Sequence, residues 1–121
     1  MFDPSKLELL IGPTPDAQRH VLEKLVEELR AALPAMQQAC QENQWQVVQN
    51  YAHKYRGTSA VVGASSCAEV LGLLEHAIIV SETQSVPQLL ASLNEAIANF
   101  EHAVIVHLQT VGALNERPDN H

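Results

Sequence analysis

The sequence predicts an all-α domain: an antiparallel four-helix bundle with a short additional N-terminal helix. Three observations carry this. Apolar residues recur at spacings of three and four along four long segments, the period of one face of a helix. Ala, Leu, Val, Glu and Gln dominate, a set of good helix formers with Val the exception, and only 4% of the residues are aromatic. No segment has the strict alternation of a half-buried strand, and the short connections make sequential helices antiparallel. The 121 residues suit one domain. Residues 1–112 are expected to form it, with 113–121 as a C-terminal tail that frays from Gly112 onward.

Asp3–Pro4 is a helix start, an acidic N-cap followed by Pro at the first helical position. Lys6 to Ile11 then form the short helix, stopped by Gly12–Pro13. Thr14–Pro15 opens the next helix, whose stripe is Leu22, Leu25, Leu29, Leu33, Met36 and Cys40. Pro34 predicts a kink or a break near Leu33. Asn43 is the expected N-cap of a third segment with core face Trp45, Val48, Ala52, Tyr55, Ser59 and Val62, and Gly63 ends it. Ser65 or Ser66 caps the next helix, with stripe Cys67, Leu71, Leu74 and Ile78. Ser85 caps the last, with Pro87 in its first turn and Leu89, Leu93, Phe100, Val104, Leu108 and Val111 facing inward.

Charge narrows the function classes. The formal net charge is −7, which argues against general nucleic-acid binding and against docking on anionic membranes. No apolar run approaches the roughly 18 residues needed to span a bilayer. Met1–Phe2–Asp3–Pro4 has neither the basic nor the apolar stretch of a signal peptide, so a cytoplasmic protein is expected. Cys40 and Cys67 lie far apart without ligand spacing and read as buried, reduced thiols.

A bundle has no default function, but the segment from Tyr51 to Ala64 carries chemistry. At about 100° per residue, His53 lies away from the core centre marked by Ala52 and should be at least partly exposed. Gln49, Arg56, Gly57 and Ala60 share its face. A mid-helix Gly costs about 1 kcal/mol relative to Ala, so Gly57 needs a compensating use. Access is one: with no Cβ there, the imidazole edge is open, and Ala60 keeps the next turn low. Lys54 and Arg56 reverse the local charge of an acidic chain. They could hydrogen-bond the oxygens of a phosphoryl group and stabilise its transfer. A neutral imidazole nitrogen is a nucleophile near physiological pH, since imidazole titrates at about 6.5. Phosphoryl transfer asks mainly for in-line positioning and charge stabilisation, and a rigid helix supplies the positioning. The second ring nitrogen needs an orienting partner, and Glu75 on the following helix is the candidate.

The run Ala52-His53-Lys54-Tyr55-Arg56-Gly57-Thr58-Ser59-Ala60-Val61-Val62-Gly63-Ala64 resembles the signature of histidine-containing phosphotransfer (HPt) domains, roughly A-H-x-L-K-G-[SA]-[SA]-x-x-x-G. Leu71-Gly72-Leu73-Leu74-Glu75 is similar to the family's L-x-x-L-E one helix on, and Asn43-Gln44-Trp45 resembles the turn before its active helix. The resemblance implies that His53 accepts a phosphoryl group from a receiver-domain aspartate and passes it to another. Lys54 and Arg56 would be supporting cations, Gly57 the access glycine and Glu75 the residue near the imidazole. It implies response-regulator receiver domains and a hybrid sensor histidine kinase as partners, with any Mg²⁺ belonging to the receiver and no cofactor or kinase activity in this chain. Arg56 stands where Lys is usual, and Tyr55 where Leu or Ile is usual. The docking surface would comprise Gln49, His53, Gly57 and Ala60, with apolar residues Leu10 and Ile11 from the short helix. A monomer suffices, since one His face per bundle serves the relay.

Blander readings stand beside these. His53 taken alone is an ordinary surface histidine, and only Arg56, Gly57 and Gly63 argue otherwise. Gly57 could serve close packing, and Lys54, Arg56 and Glu75 could be solvated charges. An HPt-like module that binds receivers without phosphotransfer, or an unrelated structural bundle, would carry the same helices. His20, His76, His102, His107 and His121 are given no role. No Glu has a His three residues later, as a di-metal bundle needs, so no metal site is expected. No G-x-x-x-x-G-K-[ST] is present to cradle ATP, so a donor must be another protein.

Overall fold

The computed structural model describes the backbone of residues 2–115 and the side chains of residues 2–112. Five helices account for nearly all of it: α1 (Pro4–Ile11), α2 (Pro15–Gln41), α3 (Trp45–Val62), α4 (Ser65–Ile79) and α5 (Val86–Asn115). A 3-10 turn, Thr83–Ser85, leads into α5. Helices α2 to α5 close a ring in which α2 packs on α3, α3 on α4, α4 on α5 and α5 back on α2. The short α1 lies against α3 and α2 at one end. No helix among the described residues is long and apolar enough to cross a membrane.

The core is the one the stripes define. Leu22, Leu25, Leu29, Leu33 and Met36 of α2 are buried, as are Val48, Ala52, Tyr55, Ser59 and Val62 of α3 and Cys67, Leu71 and Leu74 of α4. Cys40, Trp45 and Ile78 sit half-buried at the margins. In α5 the buried row is Val86, Leu90, Leu93, Ile97, Phe100, Val104 and Leu108. Leu89, expected inside, is half-buried, because the row starts at Val86 and its next step of four falls on Leu90. Both cysteines are free, and burial pushes the Cys67 thiol up to about 11.

The ends of the helices correct several expectations. Asp3 caps α1 as expected, accepting from the Ser5 N–H at 3.1 Å and the Ser5 hydroxyl at 2.6 Å. Asn43 does not cap α3. It adopts a left-handed φ of 56° and closes α2, with the Gln44 N–H reaching back to the Ala39 carbonyl at 2.8 Å. Asn suits either role, because it tolerates this region of backbone space as readily as it caps. Ser65 and Ser66 lie inside α4, whose N-cap is Ala64 without a side-chain cap bond. The Ser85 hydroxyl donates to the Glu82 carbonyl at 2.8 Å, closing the 3-10 turn before Val86. Pro34 does not break α2, which runs through it. The proline is exposed while Leu33 and Met36 are buried, so water can serve the carbonyl left without a donor and packing holds the helix. Helix α5 continues past Gly112 to Asn115, so the expected tail begins in helix. Residues 116–121, with His121, lie outside the described residues.

The N-terminal segment is tied to the turn between α3 and α4. Phe2 forms a single antiparallel bridge with Ala64, and the Asp3 N–H donates to the Gly63 carbonyl at 2.8 Å. Gly63 has a φ of 96°, and a Cβ there would collide with the Asp3 carbonyl. The Phe2 ring meets Phe100 and His107 edge-on, with centroids 5.7 and 5.4 Å away.

Candidate functional site

His53 stands in the middle of α3 with its side chain 68% exposed. Its Nδ1 lies 2.6 Å from Glu75 Oε2. The other oxygen of that carboxylate, Oε1, lies 3.1 Å from Arg56 Nε. Glu75 is itself only 13% exposed, so the pairing happens in the groove between α3 and α4. The chain count explains the meeting. His53 is ten residues before Gly63 and Glu75 eleven after Ala64, on helices joined by that two-residue turn. With about 1.5 Å of rise per residue, the two fall at the same level of the antiparallel pair.

An ionised carboxylate accepts and does not donate, so in the neutral ring the Nδ1 must carry the hydrogen. That leaves Nε2 with its lone pair free, on a ring held by its other edge.

The other predicted residues divide. A Cβ built on Gly57 would meet nothing within 4 Å, so this glycine opens directly to solvent one turn from the imidazole. Gln49 and Ala60 are half-buried on the same face. Arg56 is present but turned to Glu75, where a free phosphoryl ligand was expected. Lys54 is not brought to the imidazole: its Nζ sits over the Tyr55 ring, 5.2 Å from the centroid, and Tyr55 in turn stacks on Tyr51. On α1, Leu10 is 49% exposed, whereas Ile11 is half-buried against the core. Leu9, 88% exposed, is the more prominent apolar side chain there and was missed. Gly72 was missed too: the Arg56 stem lies against it, with Cδ 3.4 Å from where a Cβ would stand. Its only sequence signal is a second glycine in the interior of a helix.

His107 has a partner as well, of another kind. Gln18, a buried polar side chain, donates from Nε2 to the Gly12 carbonyl at 2.9 Å. Its Oε1 therefore faces His107 Nε2, which must donate across 2.7 Å. Burial holds the His107 imidazole below its ordinary pKa. Among the described residues no group of three or more His, Cys, Asp or Glu side chains could hold a metal ion.

The family model described as Hpt domain matches residues 20–103. Neither a curated protein nor a solved structure matches the chain significantly. The matched span covers α3 and α4 whole and most of α2 and α5, the four helices that build and support the His53 site. The chain belongs to the Hpt domain family, whose members are helical phosphocarrier modules, not kinases, that work with receiver domains and kinases in phosphorelays.

Proposed function

We propose that this chain carries a phosphoryl group on His53 Nε2 between receiver-domain aspartates. The observation that supports it best is the exposed imidazole whose Nδ1 is engaged by Glu75, 2.6 Å away. A receiver docks on the Gln49/His53/Gly57/Ala60 face and brings its aspartyl phosphate in line with the Nε2 lone pair. The N–P bond forms as the acyl-phosphate P–O bond breaks, and the receiver aspartate leaves as a carboxylate. The Nδ1 proton stays on the ring, facing Glu75, which offsets the positive charge gained as Nε2 bonds to phosphorus. A second receiver, or the same one in reverse, removes the group by the same path. Gly57 lets the partner approach without a side chain in the way. Leu10 and Ile11, with the exposed Leu9 beside them, extend the docking surface in apolar form, Ile11 being half-buried against the core. Docking of this kind is transient, and a cytoplasmic monomer serves it.

The test is incubation with a phosphorylated receiver. Label is expected on this chain, acid-labile and alkali-stable as a phosphoramidate is, and absent from His53→Gln. Receiver binding without label would leave a docking module in place of a carrier.

A further inference from the structure

We propose that Gln18 and His107 form a latch that holds α1 in the pose a receiver meets, so that these positioning residues govern docking without touching the partner. The inference rests on the carrier reading and concerns the apolar part of the docking surface. Helix α1 has eight residues and buries one of them, Leu7. An isolated helix shorter than about 12–15 residues is marginal in water. Toward α5 it is not fully packed either: an open cleft of about 430 Å³ is lined by Pro4 and Glu8 of α1 and by His107 and Val111 of α5. Leu9, 88% exposed, and Leu10, 49% exposed, are therefore held in place by the Leu7 anchor and by what grips the two ends of the helix.

Both ends lead to one ring. Before α1, the Asp3 N–H donates to the Gly63 carbonyl at 2.8 Å, and the Phe2 ring meets His107 edge-on, centroids 5.4 Å apart. After α1, the Gly12 carbonyl accepts from Gln18 Nε2 at 2.9 Å, and Gln18 Oε1 meets His107 Nε2 at 2.7 Å. Pro13 has no N–H to give and Thr14 makes no side-chain cap bond, so the Gly12 carbonyl is what ties this turn to α2 and α5. Position 18 lies four residues before Leu22, on the buried stripe of α2, and Gln18 is only 3% exposed. An apolar side chain would fill that place at lower cost, because a buried amide must have both its ends satisfied. Holding α1 gives the amide a use that packing does not. A contact element ordered before its partner arrives loses less freedom on docking, and association is tighter for it.

The experiment reads two quantities on the full chain: amide hydrogen exchange along α1, and label uptake as a function of phosphorylated-receiver concentration. Gln18→Met keeps the bulk and loses both bonds. It is expected to speed exchange in α1 about tenfold, with α3 and α4 unchanged, and to raise the half-saturating receiver concentration about fivefold, with the limiting rate unchanged. His107→Leu should do the same. His107→Gln, whose amide nitrogen can stand where Nε2 stands, should stay near the wild type. Leu9→Ala with Leu10→Ala should also weaken docking, and adding Gln18→Met to that pair should weaken it no further; a further rise overturns the route through α1. Wild-type exchange in Gln18→Met overturns the latch, and exchange that is faster in every helix alike marks plain destabilisation and overturns it as well. Faster exchange in α1 with wild-type half-saturation overturns its role in docking, as does a lower limiting rate with half-saturation unmoved. A chain that binds receivers, takes no label and yet binds them more weakly as Gln18→Met overturns the carrier reading and supports the latch. One that binds no receiver overturns both.

Discussion

Two histidines in this bundle each have one short hydrogen bond, and they are suited to opposite tasks. His53 is exposed and meets a carboxylate through Nδ1. His107 is half-buried and meets an amide oxygen through Nε2, with Phe2 packed on its ring. The Gln18 amide cannot turn over, because its nitrogen is committed to Gly12. It therefore requires a hydrogen on the nitrogen that would otherwise be the more accessible nucleophile. Glu75 requires one on the inner nitrogen and leaves the outer one bare. The lesson is that the partner and the burial assign the work, and the residue type does not.

The strongest way to break this comparison is to exchange label with a phosphorylated receiver in two variants. His53→Gln is expected to lose all of it, and His107→Gln to keep it. Label lost from both would mean that the half-buried histidine shares the chemistry.

Two glycines extend the contrast. Gly63 is left-handed and faces the Asp3 carbonyl, so Gly63→Ala must strain the backbone and push the N-terminal segment away. A loss of about 2–3 kcal/mol is expected, read as a lower midpoint in urea or thermal unfolding. Gly57 is an ordinary helical position in open space. Gly57→Ala should therefore gain about 0.5–1 kcal/mol of stability while slowing exchange with a receiver. A Gly57→Ala chain that is both more stable and equally fast would remove access as the reason for the glycine.

The smallest effect is in pH. The folded-state pKa of His107 is lowered by burial. The unfolded chain then binds more protons, so this group's effect on stability is flat above about pH 6.5 and unfavourable as pH falls through the folded value. His107→Gln should reduce the loss of stability between about pH 7.5 and about pH 5, measured by urea unfolding, relative to the wild type.

The His53 site was more legible in the sequence than the His107 site, for a geometric reason. His53 and Glu75 sit on adjacent helices across a short turn, so periodicity and residue count bring them together. Gln18 and His107 are 89 residues apart and belong to no periodic pattern. The core stripes of α2, α3 and α4 were readable because burial follows the helical period. The cap assignments at Asn43, Ser65 and Ser85 were not, since those residue types serve helix starts, helix ends and turns alike. The direction taken by Lys54 also lay beyond reach, because a flexible stem one position from His53 can turn either way round α3, and the Tyr55 ring decides it.

The level crossing of His53 and Glu75 makes the site a question of phase. One residue inserted between Gly63 and Glu75 would swing the faces of α4 by about 100° and carry the carboxylate off the groove, with every helix still intact. Variation in this chain can therefore be generous along the outer surfaces, yet the number of residues separating these two must stay fixed.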